Sequence, residues 1–184
     1  IAVSWPEGTK NTVKQMIDRG GANTGNELTD LFRDWLGTDG RVAQVPLTLK
    51  ISGIPAGLYE WKSYHHDYND QTGIFNVKVE DANGAKTKDS VDISNGDLAL
   101  ANVSVFETLL KSDGSDIVLT FKNNSYTGNS TSFFVINGFE INSFNSNAVP
   151  EKVNLESPIN LLKNVSLNPD FRWTDSYYAT SYNV

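Results

Sequence analysis

The stretch "WKSYHHDYNDQTGIF", from Trp61 to Phe75, concentrates the side chains of this sequence that could do chemistry. It holds the only two histidines of the chain, His65 and His66, with carboxylate and amide residues directly after them. Imidazoles bind metals and transfer protons, side-chain oxygens bind calcium, and aromatic rings form apolar contact surfaces for ligands. These residue types leave four uses open: a metal site, an acid-base catalyst, a sugar-binding surface or a packed turn.

A metal site built on the histidines is disfavoured by their spacing. Consecutive residues of a strand point to opposite faces, so His65 and His66 do not reach one ion, and zinc needs about three or four protein ligands. Calcium fits better, because Asp67, Asn69 and Asp70 offer oxygen ligands in an expected loop. A structural calcium ion is therefore the one cofactor expected, unless these residues only cap the turn through their own backbone.

A sugar-binding surface needs aromatic rings with polar groups beside them. In a strand through this stretch, Tyr64, His66 and Tyr68 project on one face, where they would form such a surface. The predicted ligand-binding residues are Tyr64, His66, Asp67, Tyr68 and Gln71 from this stretch, with Trp35 and Arg41 approaching from a helix end.

The structural alternative rests on the opposite face of the same strand. Tyr59, Trp61, Ser63 and His65 share that face, which predicts a core tryptophan and a hydrogen-bonded core histidine. Trp35 also lies on an apolar stripe that is typical of a buried helix face. The stretch would then brace the helix against the sheet.

Catalytic motifs are absent from the sequence. It has no GxSxG elbow, no cysteine nucleophile and no glycine-rich phosphate loop. A glycosidase needs two carboxylates roughly 5–10 Å apart, and with 22 acidic residues some pair meets that distance by chance. A non-catalytic domain is therefore expected, which could be attached to an enzyme.

Short alternating segments position these residues. Residues 47–54 place Leu47, Leu49 and Ile51 on one face, and Asn83-Gly84 is a hairpin signal. The predicted strands cover residues 47–54, 58–66, 73–82, 102–111, 116–122 and 132–141. Many short strands with Gly, Asn and Asp turns predict an all-β fold, an antiparallel β-sandwich or jelly roll.

One short helix is predicted in the N-terminal half. Leu28, Leu31, Phe32, Trp35 and Leu36 form a single apolar stripe at helical spacing. Thr24 with Glu27 reads as a capping box, and Gly37 as the helix stop. This helix is expected to close one end or side of the sandwich.

Composition narrows the partners. The formal charge of −7 disfavours nucleic acid and anionic membranes, which are bound by clustered Lys and Arg. The absence of cysteine excludes disulfides, and no apolar run is long enough to insert into a bilayer. The chain begins with Ile1 rather than Met, so we expect an internal segment or a processed product.

Three parts are expected along the chain. Residues 1–145 form the sandwich, and residues 146–158, polar with two prolines, form a linker. Residues 159–184 begin a new alternating pattern that is too short for a core of its own. We expect the incomplete start of a second module or a tail that packs on the first.

Several stretches resemble a known family. "LFRDWLGTDGR", "PLTLKISGIPAGLYEWKSYHHDYNDQTGIFNVKVEDANG", "IVLTF" and "FFVINGFEI" are together similar to a domain of secreted multidomain bacterial proteins, related to the malectin and galactose-binding-like β-sandwiches. The resemblance covers roughly Ile1 to Ile141, and its most distinctive part is "SYHHD…QTGIF". The tail "VSLNPDFRWTDSYYATSYNV" resembles the opening strands of a fibronectin type III-like or immunoglobulin-like module.

The resemblance implies a secreted, modular bacterial protein of the extracellular space or cell surface, whose sandwich is like a carbohydrate-binding module. The first reading is therefore a non-catalytic domain that binds a polysaccharide or glycan, with adjacent domains of the same polypeptide as further partners. The second is a structural or adhesive spacer without a small ligand. The third is a hydrolase active on glycosides.

Overall fold

The computed structural model describes residues 1–10, 14–18, 29–39, 45–69, 71, 73–96, 102–124, 133–144, 154–158, 163, 168 and 170–173. The chain divides into two compact units, Ile1–Phe144 and Asn145–Val184. The helix is α1 (Thr29–Arg33), and the strands are β1 (Ala2–Ser4), β2 (Lys14–Asp18), β3 (Asp34–Asp39), β4 (Leu47–Ile51), β5 (Gly57–Asp67), β6 (Ile74–Asp81), β7 (Gly84–Asp92), β8 (Ser94–Asn95), β9 (Ser104–Ser112), β10 (Ile117–Asn123), β11 (Phe133–Ile136), β12 (Gly138–Ser143), β13 (Leu155–Ser157) and β14 (Arg172–Trp173).

One layer of the first unit is a five-stranded antiparallel sheet in the order β1-β4-β10-β6-β7. Its inner face follows the predicted alternation, since Leu47, Leu49 and Ile51 are buried. The other layer is formed by β12-β5-β9, with a short parallel bridge to β8, and by β11-β3-β2. The predicted all-β class, an antiparallel sandwich of the jelly-roll kind with one short described helix, is confirmed.

Aromatic side chains join the two layers. Phe75 and Phe121 come from the five-stranded sheet, and both contact the Phe134 ring of β11, with ring centroids 5.1 Å and 5.5 Å apart. The His65 ring of β5 lies 4.5 Å from Phe75. All four side chains are fully buried, so the histidine is part of the apolar core that closes the sandwich.

The predicted helix is wrong over its second half. The helix ends at Arg33, and Trp35, Leu36 and Gly37 lie in strand β3. Both neighbours of β3 are strands, and both of its faces are covered, so its apolar residues show no strand alternation. The capping residues Thr24 and Glu27, and Leu28, lie outside the described residues.

The helix that does form covers the outer face of β5, as expected of an element that closes one side. Its Phe32 ring packs edge-on against Tyr64 at 6.2 Å and against His66 at 5.3 Å. Leu31, Phe32, Tyr64 and Val103 make a second, smaller apolar cluster there. Both faces of the C-terminal half of β5 are therefore buried.

The predicted last strand, residues 132–141, is divided at Asn137 into β11 and β12. β11 pairs with β3, whereas β12 pairs with β5. The Asn137 side chain bridges the division: its Oδ1 accepts from the His66 amide at 2.7 Å, and its Nδ2 donates to the carbonyls of His66 and Asp34 at 2.9 Å and 3.0 Å. One amide therefore ties three strands together.

The predicted hairpin at Asn83-Gly84 joins β6 to β7. Of the two residues, Gly84 alone adopts a positive φ, of 97°. Asn83 instead donates its backbone N–H to Asp81 Oδ1 at 2.8 Å. An aspartate turn thus replaces the two positive-φ positions that the dipeptide indicated.

In the second unit, β13 pairs with β14, and Leu155 lies opposite Trp173. The segment predicted as a linker therefore contains a strand at its end. The resemblance of residues 159–184 to a fibronectin type III-like module stays a prediction.

We expect Gly37→Ala to unfold the domain or destabilise it by about 3 kcal/mol or more. A Cβ at this position would lie 1.9 Å from the Phe134 carbonyl oxygen, a backbone atom that the β3–β11 pairing holds in place. Urea unfolding monitored by tryptophan fluorescence measures the change.

Gly57→Ala is the matched control. Its Cβ would find only Tyr59 ring atoms at 3.7 Å and beyond, and its φ is not positive, so a change within about 0.5 kcal/mol is expected. Equal losses in the two variants would contradict the close approach of β3 and β11.

Candidate functional site

The predicted ligand-binding residues of the "YHHD" stretch lie in the interior. Tyr64, His66, Asp67 and Gln71 are 9%, 3%, 0% and 5% exposed. The expectation that Tyr64 and His66 project into an open surface is therefore wrong, since α1 and Val103 cover their face of β5. Asp67 lies on the opposite face of the strand, with His65. The role of the four predicted residues in ligand binding stays a prediction, and their burial weighs against it.

His65 lies in a buried chain of hydrogen bonds. Its Nδ1 is 2.7 Å from the Val135 carbonyl oxygen, which only accepts, so Nδ1 carries the proton. Nε2 then accepts from the Ser63 hydroxyl at 2.9 Å, and Ser63 Oγ accepts from the Trp61 indole at 3.2 Å. Burial lowers the pKa of His65 to about 4, while the bond to Val135 opposes this shift. The predicted core histidine and core tryptophan are confirmed.

Asp67 and Trp35, two predicted ligand residues, bind each other. Asp67 Oδ1 accepts from the Trp35 indole N–H at 3.0 Å, and Asp67 Oδ2 accepts from the backbone N–H of Gln71 at 3.1 Å. The Gln71 side chain in turn accepts from the Phe133 amide at 3.1 Å. Because two N–H donors share the buried carboxylate, it fixes the position of β3 relative to the end of β5.

His66 is held through Ser94. The Ser94 hydroxyl donates to the His65 carbonyl at 3.2 Å, and its oxygen accepts from the Ser104 amide at 2.9 Å. The contact of 3.0 Å with His66 Nδ1 therefore places the imidazole proton on Nδ1. His66 thus connects β5 to β8 directly, and through Ser94 to β9.

Tyr64 donates its hydroxyl to Glu140 on β12. Burial, this hydrogen bond and the charges of Glu140 and Glu107 together raise the pKa of Tyr64 to about 12. The Lys62 Nζ atom lies 5.5 Å from the centroid of the Tyr64 ring and 3.0 Å from Glu107 Oε1. The phenol therefore remains protonated at any physiological pH.

The remaining predicted residues do not complete a site. Tyr68 is half-buried and Asn69 is exposed, whereas Arg41 and Asp70 lie outside the described residues. Within the part of the chain that the structure describes, no group of three or more His, Asp or Glu side chains could hold a metal ion. Both Asp67 oxygens already accept from N–H groups, and calcium binding stays a prediction.

A cavity of about 470 Å³ opens beside Trp35, among β1 to β4 and the β11–β12 junction. Its described lining is Val3, Met16, Ile17, Asp18, Asp34, Trp35, Leu36, Leu49, Ile136, Asn137, Gly138 and Phe139. Most of these side chains are apolar, and Met16 and Phe139 are 78% and 37% exposed. A volume of this size with a few polar groups is typical of a small-molecule site.

Two carboxylates stand at this cavity. Asp18 and Asp34 are exposed, and they lie directly opposite each other on the paired strands β2 and β3. The third polar residue, Asn137, uses both ends of its amide to bind backbone groups. Asp18 already has an interaction partner in the structure, but a carboxylate offers about four lone-pair sites. Hydrogen bonding to a bound molecule would therefore fall to Asp34 and to the remaining acceptor sites of Asp18.

Trp35 is the one residue of this lining that the sequence pattern predicted as a ligand contact; the other lining residues were not predicted. The cavity is formed by residues that are up to 136 positions apart, from Val3 to Phe139. Only the Asn-Gly dipeptide at Asn137, in the middle of an apolar run, signalled that the last strand breaks there.

Comparisons with known proteins give likeness at the level of the fold. No family model matches the chain, and no curated protein matches it. Among solved structures, the CBM22-1 xylan-binding domain of Paenibacillus barcinonensis Xyn10C has a TM-score of 0.44 at 12% identity, over 77% of this chain and 85% of that one. TmCBM61, solved with β-1,4-galactotriose, has a TM-score of 0.43 at 14% identity, over 78% and 88%. CBM35 of Cellvibrio japonicus Abf62 has a TM-score of 0.37 at 9% identity, over 78% and 99%.

No helix within the described residues is long and apolar enough to cross a membrane.

We expect the stability of the domain to fall as the pH falls from 6.5 to 4. His65 has a lower pKa in the folded protein than in the unfolded chain, so the unfolded state binds more protons in this window. The loss from this residue approaches about 3 kcal/mol at pH 4. Urea unfolding at pH 7 and at pH 4.5 measures it in the protein and in His65→Gln, which does not titrate. The same pH dependence in both would contradict the assignment.

We expect Asp67→Asn to cost about 2 kcal/mol of unfolding free energy. An asparagine offers one acceptor oxygen, so its NH₂ group would face either the Trp35 indole or the Gln71 amide. Asn69→Ala, two residues away and exposed, should change the stability by less than about 0.5 kcal/mol.

A double-mutant cycle tests whether the loss at Asp67 comes from the indole. Trp35→Phe removes the Nε1 donor, so its cost should not add to that of Asp67→Asn. Additive costs would show that the bond between Trp35 and Asp67 contributes little.

Proposed function

We propose that the first unit is a non-catalytic carbohydrate-binding domain and that the cavity beside Trp35 receives the sugar. The observation that carries the proposal is the cavity itself: it joins an apolar wall, a partly exposed aromatic ring and two carboxylates in one concave site. Sugars combine apolar C–H surfaces with hydroxyl donors, so they need both kinds of partner.

Phe139 is the aromatic contact in this proposal. Its ring stacks on the buried Trp61 ring, with centroids 4.7 Å apart and planes at 14°. Trp61 is fixed through its bond to Ser63, so Phe139 rests on a rigid base. A ring that is already ordered loses little conformational entropy when a ligand packs against it.

A non-catalytic role is supported by the chemistry of the wall. The described lining contains no histidine, serine or lysine that could act as a base or nucleophile, and the chain has no cysteine. Asp18 and Asp34 are the only side chains of the described lining that could serve as the carboxylate pair of a glycosidase, so hydrolysis remains one outcome of the binding test. The buried histidines are committed to structural hydrogen bonds.

We further propose that the domain acts outside the cell or at the cell surface, as one part of a longer bacterial polypeptide.

The alternative is a structural or adhesive spacer. The bond between Asp67 and Trp35 favours it, because residues that looked like ligand contacts hold β3 against β5 instead. A spacer needs such internal bracing and has no use for an open apolar cavity.

We expect the chain to bind at least one class of glycan on an array, and Phe139→Ala to weaken that binding at least about tenfold through loss of the ring contact. Phe171→Ala is the matched control, because Phe171 is 53% exposed and is not part of the cavity lining. Thermal unfolding of both variants shows whether the fold survives.

The outcomes separate the functions. Equal binding by Phe139→Ala and the control would remove the sugar from this cavity. No binding to any glycan would favour the spacer, and release of reducing sugar from a bound glycan would favour a hydrolase.

A further inference from the structure

The wall of the cavity beside Trp35 is mainly aliphatic. Val3, Ile17 and Leu36 contribute branched side chains that are at least partly exposed, whereas Leu49 and Ile136 lie buried behind them. The two ring systems offer less: Trp35 is only 5% exposed, and Phe139 has one face on Trp61. The C–H face of a pyranose would stack on an exposed aromatic ring, whereas a wall of branched side chains matches a compact methyl group.

The mouth of the cavity accepts hydrogen bonds and repels anions. Asp18 and Asp34 are the only charged residues of its described lining, and ionised carboxylates only accept. Asp34 lies opposite Asp18, which already has an interaction partner in the structure, and the chain as a whole carries a formal charge of −7. A sugar with hydroxyl or amide N–H donors is favoured there, and a sugar acid is disfavoured.

We propose that the cavity selects a neutral sugar that carries a methyl group, which enters the aliphatic wall while its hydroxyl or N–H groups donate to Asp18 and Asp34. The methyl group can come from an acetamido substituent or from a 6-deoxy carbon. This inference rests on the proposed carbohydrate binding and names the ligand class of the same site.

Met16 provides a direct reporter. It is the only methionine of the chain, it lines the cavity, and it is 78% exposed. Labelling its methyl group with ¹³C therefore gives one NMR signal from residues 1–184, and that signal lies at the proposed site.

The experiment titrates this signal with matched pairs of sugars. N-acetylglucosamine is compared with glucose for the acetamido group, and L-fucose with L-galactose for the 6-deoxy group. In at least one pair the methyl-bearing sugar should bind about tenfold more tightly, since a methyl group that fills an apolar pocket changes affinity by about 10 to 200 times relative to a sugar that lacks it or has a hydroxyl there. Whichever pair shows the preference identifies the source of the methyl group.

Glucuronic acid tests the charge. It should bind more weakly than glucose, and Asp34→Asn should reduce this difference severalfold because one negative charge is removed from the mouth. Asp92→Asn is the matched control, since Asp92 is exposed on β7 and lies outside the cavity lining.

The results distinguish this inference from the proposed function. Equal shifts and affinities for both members of each pair would overturn the selection for a methyl group and leave carbohydrate binding intact. Tighter binding of glucuronic acid than of glucose would overturn the selection for a neutral sugar and would also leave carbohydrate binding intact. If no sugar moves the Met16 signal while the glycan array is positive, the site is wrong. If the array is also negative, carbohydrate binding itself is overturned.

Discussion

The side-chain amide of Asn137 holds the second layer of the sandwich together. Before this residue the chain pairs with β3 as strand β11, and after it the chain pairs with β5 as strand β12. Backbone groups of β3 and β5 that face this crossing therefore need a side chain as their hydrogen-bond partner. The amide supplies one acceptor and two donors, and it uses them on backbone groups of His66 and Asp34. The two bonds to His66 are half-buried and the bond to Asp34 is exposed, so the His66 groups gain most from the amide. No other side chain of this size offers both kinds of group in one plane.

The polar residues near this crossing belong to the same architecture. Asp67 binds the Trp35 indole, and His65 links Ser63 to Val135. Each bond joins elements that are far apart in the chain, and each lies in a region without solvent, where hydrogen bonds are strong and a missing partner is costly. The histidines and the aspartate therefore specify how the strands pack, which is a sufficient reason for their presence in a core.

The cavity follows from this bracing. Trp35 is turned towards Asp67, Phe139 rests on Trp61, and β11 and β12 separate at Asn137 to pair with β3 and β5. Rigid strands thus surround a space that the core does not fill, with carboxylates from β2 and β3 beside it. Binding in such a site avoids much of the ordering cost that a flexible loop would add.

Alternating segments such as residues 47–51 and 117–121 determined their own strands, because one face meets the core and the other meets solvent. Composition separately excluded disulfides and cysteine nucleophiles and disfavoured anionic partners. Strand alternation also put Trp61 and His65 in the core. It failed for Trp35 and Leu36, because a strand that is covered on both faces has no period to read, and an apolar stripe at helical spacing then arises by chance.

Only the tertiary structure decided that Tyr64 and His66 are buried, since α1 and Val103 cover the face of β5 that alternation marks as exposed. It also decided that Asp67 binds the Trp35 indole. It also decided the cavity, whose walls come from residues between Val3 and Phe139. Local pattern determines which residues prefer a strand, whereas burial and cavities depend on which distant segments meet. That meeting is fixed by bonds such as those of Asn137, which no local spacing encodes.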